Sequence, residues 1–171
     1  PTDPFDIVYR SMAPPGDGGI WLGTDYMGRD ITAGIVHGAK ATLIVGTSAA
    51  FCTVIIGVLV GAFAGFYGRW VDNMLMRITE FFQVLPPLLL SMVLVTLFSP
   101  TLTVIALAIG VVSWPPIARL TRGEFLKIRQ QEYVMAARAV GSKNGRLIWR
   151  VILPNSLPPL IVSATSNVGT A

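Results

Sequence analysis

The sequence offers few side chains that would support catalysis. His37 and Cys52 are its single histidine and single cysteine, so there is no Cys/His metal cluster and no internal disulfide, and both residues fit packed or interfacial positions. No paired-carboxylate or Ser/His/Asp arrangement stands out. The stretch HGAKAT at 37–42 lacks the Gly-Lys pair of a phosphate-binding loop. We therefore predict no catalytic residue, no metal site and no cofactor in this chain.

The clearest pattern of polar and small residues is EYVMAARAVGSKNGRLIWRVILPN at 132–155. Good helix formers fill 131–140, Gly141 is a typical helix stop, and SKNG at 142–145 predicts a turn. The following RLIWRVIL is amphipathic and is expected to end at Pro154. Its apolar face holds Leu147, Ile148, Val151 and Ile152, opposite Arg146 and Arg150. Such a pair of short helices either rests on anionic lipid or docks on a partner protein.

Long apolar runs surround this segment. The chain is 53% hydrophobic, only 13% charged and has a mean hydropathy of +0.64, which is typical of a membrane protein. Charge-free runs at 41–66, 81–99 and 102–118 are long enough to span a bilayer, and a fourth begins at 157. We predict an all-α, polytopic membrane helical bundle with three complete spans and part of a fourth. The sequence starts without a methionine and stops inside an apolar run, so we expect a fragment of a larger subunit.

The charges between the spans predict their orientation. Arg69 and Arg77 lie in the link after the first span, and eight further basic residues follow the third, giving ten of the thirteen Lys and Arg. By the positive-inside rule these regions face the cytoplasm, and residues 1–40, which hold five aspartates, face out. The net charge of +4 is dispersed, so membrane topology explains it better than nucleic-acid binding.

The spans contain small residues and prolines but no ionisable side chain in their interiors. A stripe of small residues recurs every four positions in the first span, which predicts close helix packing within a bundle or against a partner subunit. It comprises Ala49, Thr53, Gly57, Gly61 and Gly65. Pro86–Pro87 and Pro115–Pro116 are expected to bend or interrupt their helices. The missing charges argue against proton or ion coupling at membrane depth.

The segment AARAVG, followed nine residues after Gly141 by VILP, resembles the EAA loop of ATP-binding-cassette importer permeases. The resemblance implies that this loop is a coupling helix seated in a cleft of a cytoplasmic ATPase. The implied coupling-loop residues are Met135, Ala136, Ala137, Arg138, Gly141, Val151, Leu153 and Pro154. Met135 stands where the family has Glu, and Glu132 on nearly the same helical face is a candidate to substitute for that charge.

Further stretches are similar to the C-type inner-membrane subunit of the peptide and nickel importers: WLGTDYMGRD, GAKATLIVG, RITEFFQVLPPLLL and WPPIARLTRGE. The family implies a six-span subunit paired with a second permease subunit, two ATPase subunits that hold ATP and Mg, and an external solute-binding protein in a prokaryotic plasma membrane. The segment LGTDYMGRD is either a folded turn or a contact for the binding protein, with Asp25, Arg29 and Asp30 as its charged residues.

Together these features predict an external segment at 1–40, spans within 41–118, a cytoplasmic EAA-type coupling loop at 119–156 and the start of a further span at 157–171. The predicted function is a non-enzymatic permease subunit of an ATP-driven importer for dipeptides, oligopeptides, nickel chelates or a related solute. An ATP-independent channel or carrier and a membrane anchoring or assembly protein stay open as alternatives.

Overall fold

Helices account for most of the chain, as its apolar runs predict. A computed structural model of the protein describes residues 3–98 and 101–168. Within those ranges the chain forms helices and two isolated antiparallel bridges, Ile7 with Arg29 and Thr24 with Asp30, and contains no longer strand. The prediction of an all-α fold is therefore confirmed. The chain divides into two compact units, Pro1–Ile44 and Val45–Ala171.

The N-terminal unit is held together by hydrogen bonds around Thr24, whose side chain is buried. The Thr24 hydroxyl accepts from the Ala13 N–H at 2.9 Å and donates to the Arg10 carbonyl at 2.6 Å. Gly28 has φ of +80°, and a Cβ there would collide with the Tyr9 carbonyl oxygen, so the chain can close on itself only with glycine. A short 3₁₀ helix, Asp17–Gly19, lies in this unit.

The described residues form eight α-helical segments, which are, in chain order, α1 (Ile31–Tyr67), α2 (Arg69–Val84), α3 (Pro87–Leu97), α4 (Leu102–Ser113), α5 (Pro115–Ile128), α6 (Glu132–Ala139), α7 (Asn144–Arg146) and α8 (Leu153–Val168). Asp30 caps the start of α1, because its carboxylate accepts the Thr32 N–H at 2.8 Å. In the second unit α3 packs on α4, while α5 packs on both α2 and α8.

Two helix pairs are bent at the predicted prolines. The axes of α2 and α3 differ by 87° across the break before Pro87, and those of α4 and α5 by 45° at Trp114. By length and composition α1 alone is long and apolar enough to cross a membrane, and the described residues hold up to three spans if each bent pair counts as one. The predicted run 81–99 is thus not one straight helix: its first four residues belong to α2, and residue 99 lies outside the described ranges.

A π-helical segment, Leu147–Ile152, joins α7 to α8 without a break. The Leu153 N–H donates to the Ile148 carbonyl five residues back, which defines the wider turn. The prediction that Pro154 ends the helix is therefore wrong. A wider turn gives the Pro154 ring room beside the Arg150 carbonyl, with which it would clash in a regular α-helix. The predicted turn at 142–145 is also displaced, because α7 already begins at Asn144.

One apolar cluster connects the end of α1 to the segments around α6. Its members come from α1, α5, α6 and the π-helical segment, and all are buried. They are Ala62, Phe66, Phe125, Ile128, Val134, Leu147, Ile148 and Ile152. Burial of these side chains fixes the segment that contains the predicted coupling residues.

Candidate functional site

The short helix α6 has one face anchored and one face open. Val134 is 1% exposed and Ala137 packs against the apolar cluster. Met135 is 55% exposed, and Ala136 is exposed beside it. Because residues three apart share a helical face, Val134 and Ala137 form the inner face and their neighbours face outward. The open face therefore presents short or flexible apolar side chains on a fixed helix.

Gly141 ends α6 in a Schellman motif. The Ser142 N–H donates to the Ala137 carbonyl at 3.1 Å and the Gly141 N–H to the Arg138 carbonyl at 3.0 Å, with φ of +85° at Gly141. This geometry confirms the prediction that Gly141 stops the helix. A Cβ at Gly141 would meet no atom within 4 Å, so glycine is needed here for its backbone angle and not for space.

The return segment after the turn is amphipathic, as its sequence predicts. Leu147, Ile148 and Ile152 are buried, whereas Arg146 and Arg150 are exposed. The structure divides the predicted coupling residues into two groups. Ala137, Val151 and Leu153 pack against the apolar cluster. The other five, Met135, Ala136, Arg138, Gly141 and Pro154, are exposed.

Two arginines near α6 act on the end of α1. The Arg138 guanidinium carbon lies 5.8 Å from the centre of the Phe66 ring, within cation–π range. Arg129, which follows α5, donates from Nη1 to the carbonyl oxygens of Gly65 at 3.0 Å and Phe66 at 3.2 Å. Sequence reasoning missed Phe66 and Arg129, because contacts between residues more than sixty positions apart leave no local periodicity.

The small-residue stripe of α1 packs on α4 and α5. A Cβ atom at Gly57 would lie 2.6 Å from the Ile117 Cβ. One at Gly61 would lie 2.6 Å from the Thr121 Cβ, and one at Gly65 would lie 2.6 Å from the Phe125 Cβ. Larger side chains at these glycines would push the helices apart. The described residues therefore contain an intrachain partner for the stripe.

An ion pair joins α2 and α5. Arg122 donates from Nε and Nη2 to the two carboxylate oxygens of Asp72, and the Nη2 distance is 2.6 Å. The two side chains are 34% and 12% exposed, and such bidentate geometry is the strong form of this contact. Sequence reasoning did not identify this pair either, since it pairs residues fifty positions apart.

The LGTDYMGRD segment is a folded turn. The Asp25 carboxylate accepts the backbone N–H groups of Met27 at 2.8 Å and Arg29 at 2.9 Å. The Arg29 N–H is the main cause that holds the pKa of the Asp25 carboxyl below its ordinary value. Of the two alternatives for this segment, the folded turn is thus present.

The described part of the chain contains no group of three His, Cys, Asp or Glu side chains able to hold a metal ion. His37 Nδ1 is within 2.9 Å of the Ala33 carbonyl oxygen in its own helix. The chain has an all-α fold, one apolar helix long enough to span a membrane, and helix pairs bent at prolines. These features are typical of helical membrane proteins.

Comparison with known proteins gives the family. Residues 57–171 match the family described as binding-protein-dependent transport system inner membrane component. The chain belongs to this family.

Similar proteins with curated names are consistent with this family. The dipeptide transport system permease protein DppC of Alkalihalophilus pseudofirmus is 44% identical over 151 residues, which cover 88% of this chain and 50% of the relative. The oligopeptide transport system permease protein OppC of Bacillus subtilis is 36% identical with the same coverage of each chain. The di/tripeptide transport system permease protein DppC of Pseudomonas aeruginosa is 36% identical, covering 98% of this chain and 55% of the relative. The chain thus spans about half the length of the curated relatives that it matches.

Proposed function

We propose that this chain belongs to a permease subunit of an ATP-driven importer for peptides or a related solute, and that α6 couples a separate ATPase to solute movement. Membership of the family and the relatives' names as dipeptide or oligopeptide permeases support this function. The observation that carries it is the form of α6: a helix fixed on its inner face by Val134 and Ala137 that exposes Met135 and Ala136.

A docking surface must be both rigid and shallow. Because the inner face of α6 is buried and Gly141 closes the helix, a force on the outer face is passed to the membrane domain instead of deforming the helix. Short side chains let another backbone approach closely, while exposed Arg146 and Arg150 supply charges that set orientation. This combination fits a protein groove better than a lipid surface, for which a larger apolar face is typical.

The proposed partners are a second permease subunit, two cytoplasmic ATPase subunits that bind ATP and Mg, and an external solute-binding protein. This chain would supply no catalytic group. Ten of its thirteen basic residues lie in the link at 67–80 or after residue 118, which supports a cytoplasmic α6 and external residues 1–40 in a prokaryotic plasma membrane. ATP-driven closure of the ATPases would move α6, and the spans would rock between outward and inward openings.

The test is Gly141→Asp in the complete transporter. We expect it to reduce ATPase docking and solute uptake strongly while membrane insertion is kept, since it adds a negative charge and a side chain to the proposed docking surface. Gly16→Asp is a matched control, because Gly16 also has a positive φ, +87°, and open space around it. The measurements are co-purification of the ATPase subunits and uptake into proteoliposomes.

Three outcomes would contradict the proposal. Unchanged docking and uptake in Gly141→Asp would remove α6 from the coupling role. Uptake that persists after ATP depletion, without a co-purifying ATPase, would indicate an ATP-independent channel or carrier. A complex that moves no solute would indicate an anchoring or assembly protein.

A further inference from the structure

We propose that Phe66 is a positioning residue that makes α6 and the C-terminal end of α1 move as one body. This inference rests on the proposed function and names the membrane helix that receives the movement of α6. Phe66 is 6% exposed and belongs to the apolar cluster that also holds Val134 of α6. Among the described residues, it is the one member of that cluster whose ring and backbone both contact an arginine.

The ring of Phe66 connects to α6. Arg138 lies over it at 5.8 Å, and a guanidinium over an aromatic face is held by the ring's electrostatic quadrupole. Arg138 lies one helical turn after Val134, so α6 touches the Phe66 region through a cation and through a buried aliphatic side chain. A displacement of α6 would therefore carry the Phe66 ring with it.

The backbone of Phe66 connects to α5 through Arg129. The last four carbonyls of a helix lack partners within the helix, and Arg129 Nη1 donates to two carbonyl oxygens near this end, those of Gly65 and Phe66. A cation at this position is also favoured by the helix dipole. The two hydrogen bonds fix the end of α1 to the residue that follows α5.

The α1 helix can pass this movement into the membrane domain because of its glycine stripe. Gly57, Gly61 and Gly65 let α1 lie directly on α5, with no room for an added Cβ. Packing this tight transmits a displacement instead of absorbing it. The path therefore runs from α6 through Phe66 to α1, in addition to the direct chain connection from α5 to α6.

The experiment uses the complete transporter in proteoliposomes with its ATPases and binding protein, and measures solute imported per ATP hydrolysed together with ATPase docking. Phe66→Leu keeps an apolar side chain but removes the aromatic face. We expect imported solute per ATP to fall roughly three- to ten-fold while docking is unchanged. Phe63→Leu, one turn earlier in α1, is the matched control and should keep the wild-type ratio.

Variants of the exposed Arg138 form a second arm of the experiment, which requires no substitution at the buried Phe66. Arg138→Met should lower the ratio like Phe66→Leu, Arg138→Lys should restore most of it because a cation is kept, and the double variant Phe66→Leu/Arg138→Met should be no worse than either single change. Wild-type ratios in Phe66→Leu and Arg138→Met with the ATPase still docked would overturn the inference alone. An ATPase that never docks on the wild-type complex would overturn the proposed function and this inference with it.

Discussion

Glycine serves different physical purposes at single positions of this chain. Gly61 lies where α1 touches α5, and a Cβ there would collide with the Ala118 carbonyl oxygen. Gly141 has open space but a positive φ, whereas Gly123 in α5 has open space and no positive φ. The same substitution is therefore expected to change stability differently at these three glycines.

Gly61→Ala is expected to destabilise the protein by about 1–3 kcal/mol, because the added methyl group forces apart two helices that have no room to give. Gly123→Ala in the packed partner helix should instead be neutral or stabilising by up to about 1 kcal/mol, since alanine favours a helix and meets no neighbour. Thermal denaturation of the two purified variants measures the difference. Equal stability of both variants would show that α1 and α5 are not in this close contact.

At the scale of helices, the Asp72–Arg122 pair should contribute to holding α2 on α5. Asp72→Asn leaves the partly buried Arg122 without its carboxylate, and Arg122→Gln does the reverse. Each should cost about 2 kcal/mol, between the values for exposed and fully buried pairs, and the double variant should cost little more than one. Chemical or thermal denaturation of the four proteins gives the coupling energy.

Arg77 and Glu80 supply the control for that cycle. They form an exposed pair within α2, at 3.6 Å with side chains 85% and 51% exposed. Their coupling energy should be below about 0.5 kcal/mol. A coupling between Asp72 and Arg122 as small as this would mean that the pair does not hold the two helices together.

Local sequence patterns predicted several features of the helices, but not α2, most of which lies in the segment 67–80 that was predicted as a link between spans. The helix breaks at Pro87 and Pro115 follow from the missing N–H of proline, and the end of α6 follows from Gly141. Burial of Leu147, Ile148 and Ile152 follows from helical periodicity. In each case a few neighbouring residues determine the local structure, so that structure can be predicted from the sequence.

The contacts that join elements were not predictable in the same way. Asp72 and Arg122, or Arg129 and Gly65, are far apart in the chain, and their pairing depends on how the helices pack. The wide π-helical turn before Pro154 is a local feature, but propensity rules favour a helix end at such a proline. Tertiary burial of Ile152 and the continuing α8 override that preference.

At the scale of the whole molecule, the chain exposes apolar side chains that one soluble subunit would bury. On α3 these include Leu88, Leu89 and Met92. Surfaces of this kind are covered by lipid or by another subunit. The exposed face of α6 differs, because it lies in the basic segment after residue 118 and combines small side chains with arginines. We therefore propose lipid or permease contacts for α3 and ATPase contacts for α6.

Photo-crosslinking from α6 tests this assignment most directly. A photo-reactive amino acid is placed at Met135 or, as the control, at Leu88, two exposed apolar positions in the same unit. After irradiation of the complete transporter in membranes, we predict an adduct with the ATPase from position 135, with a yield that changes on ATP binding, and none from position 88. Adducts of position 135 with lipid alone, or ATPase adducts of equal yield from both positions, would contradict the account.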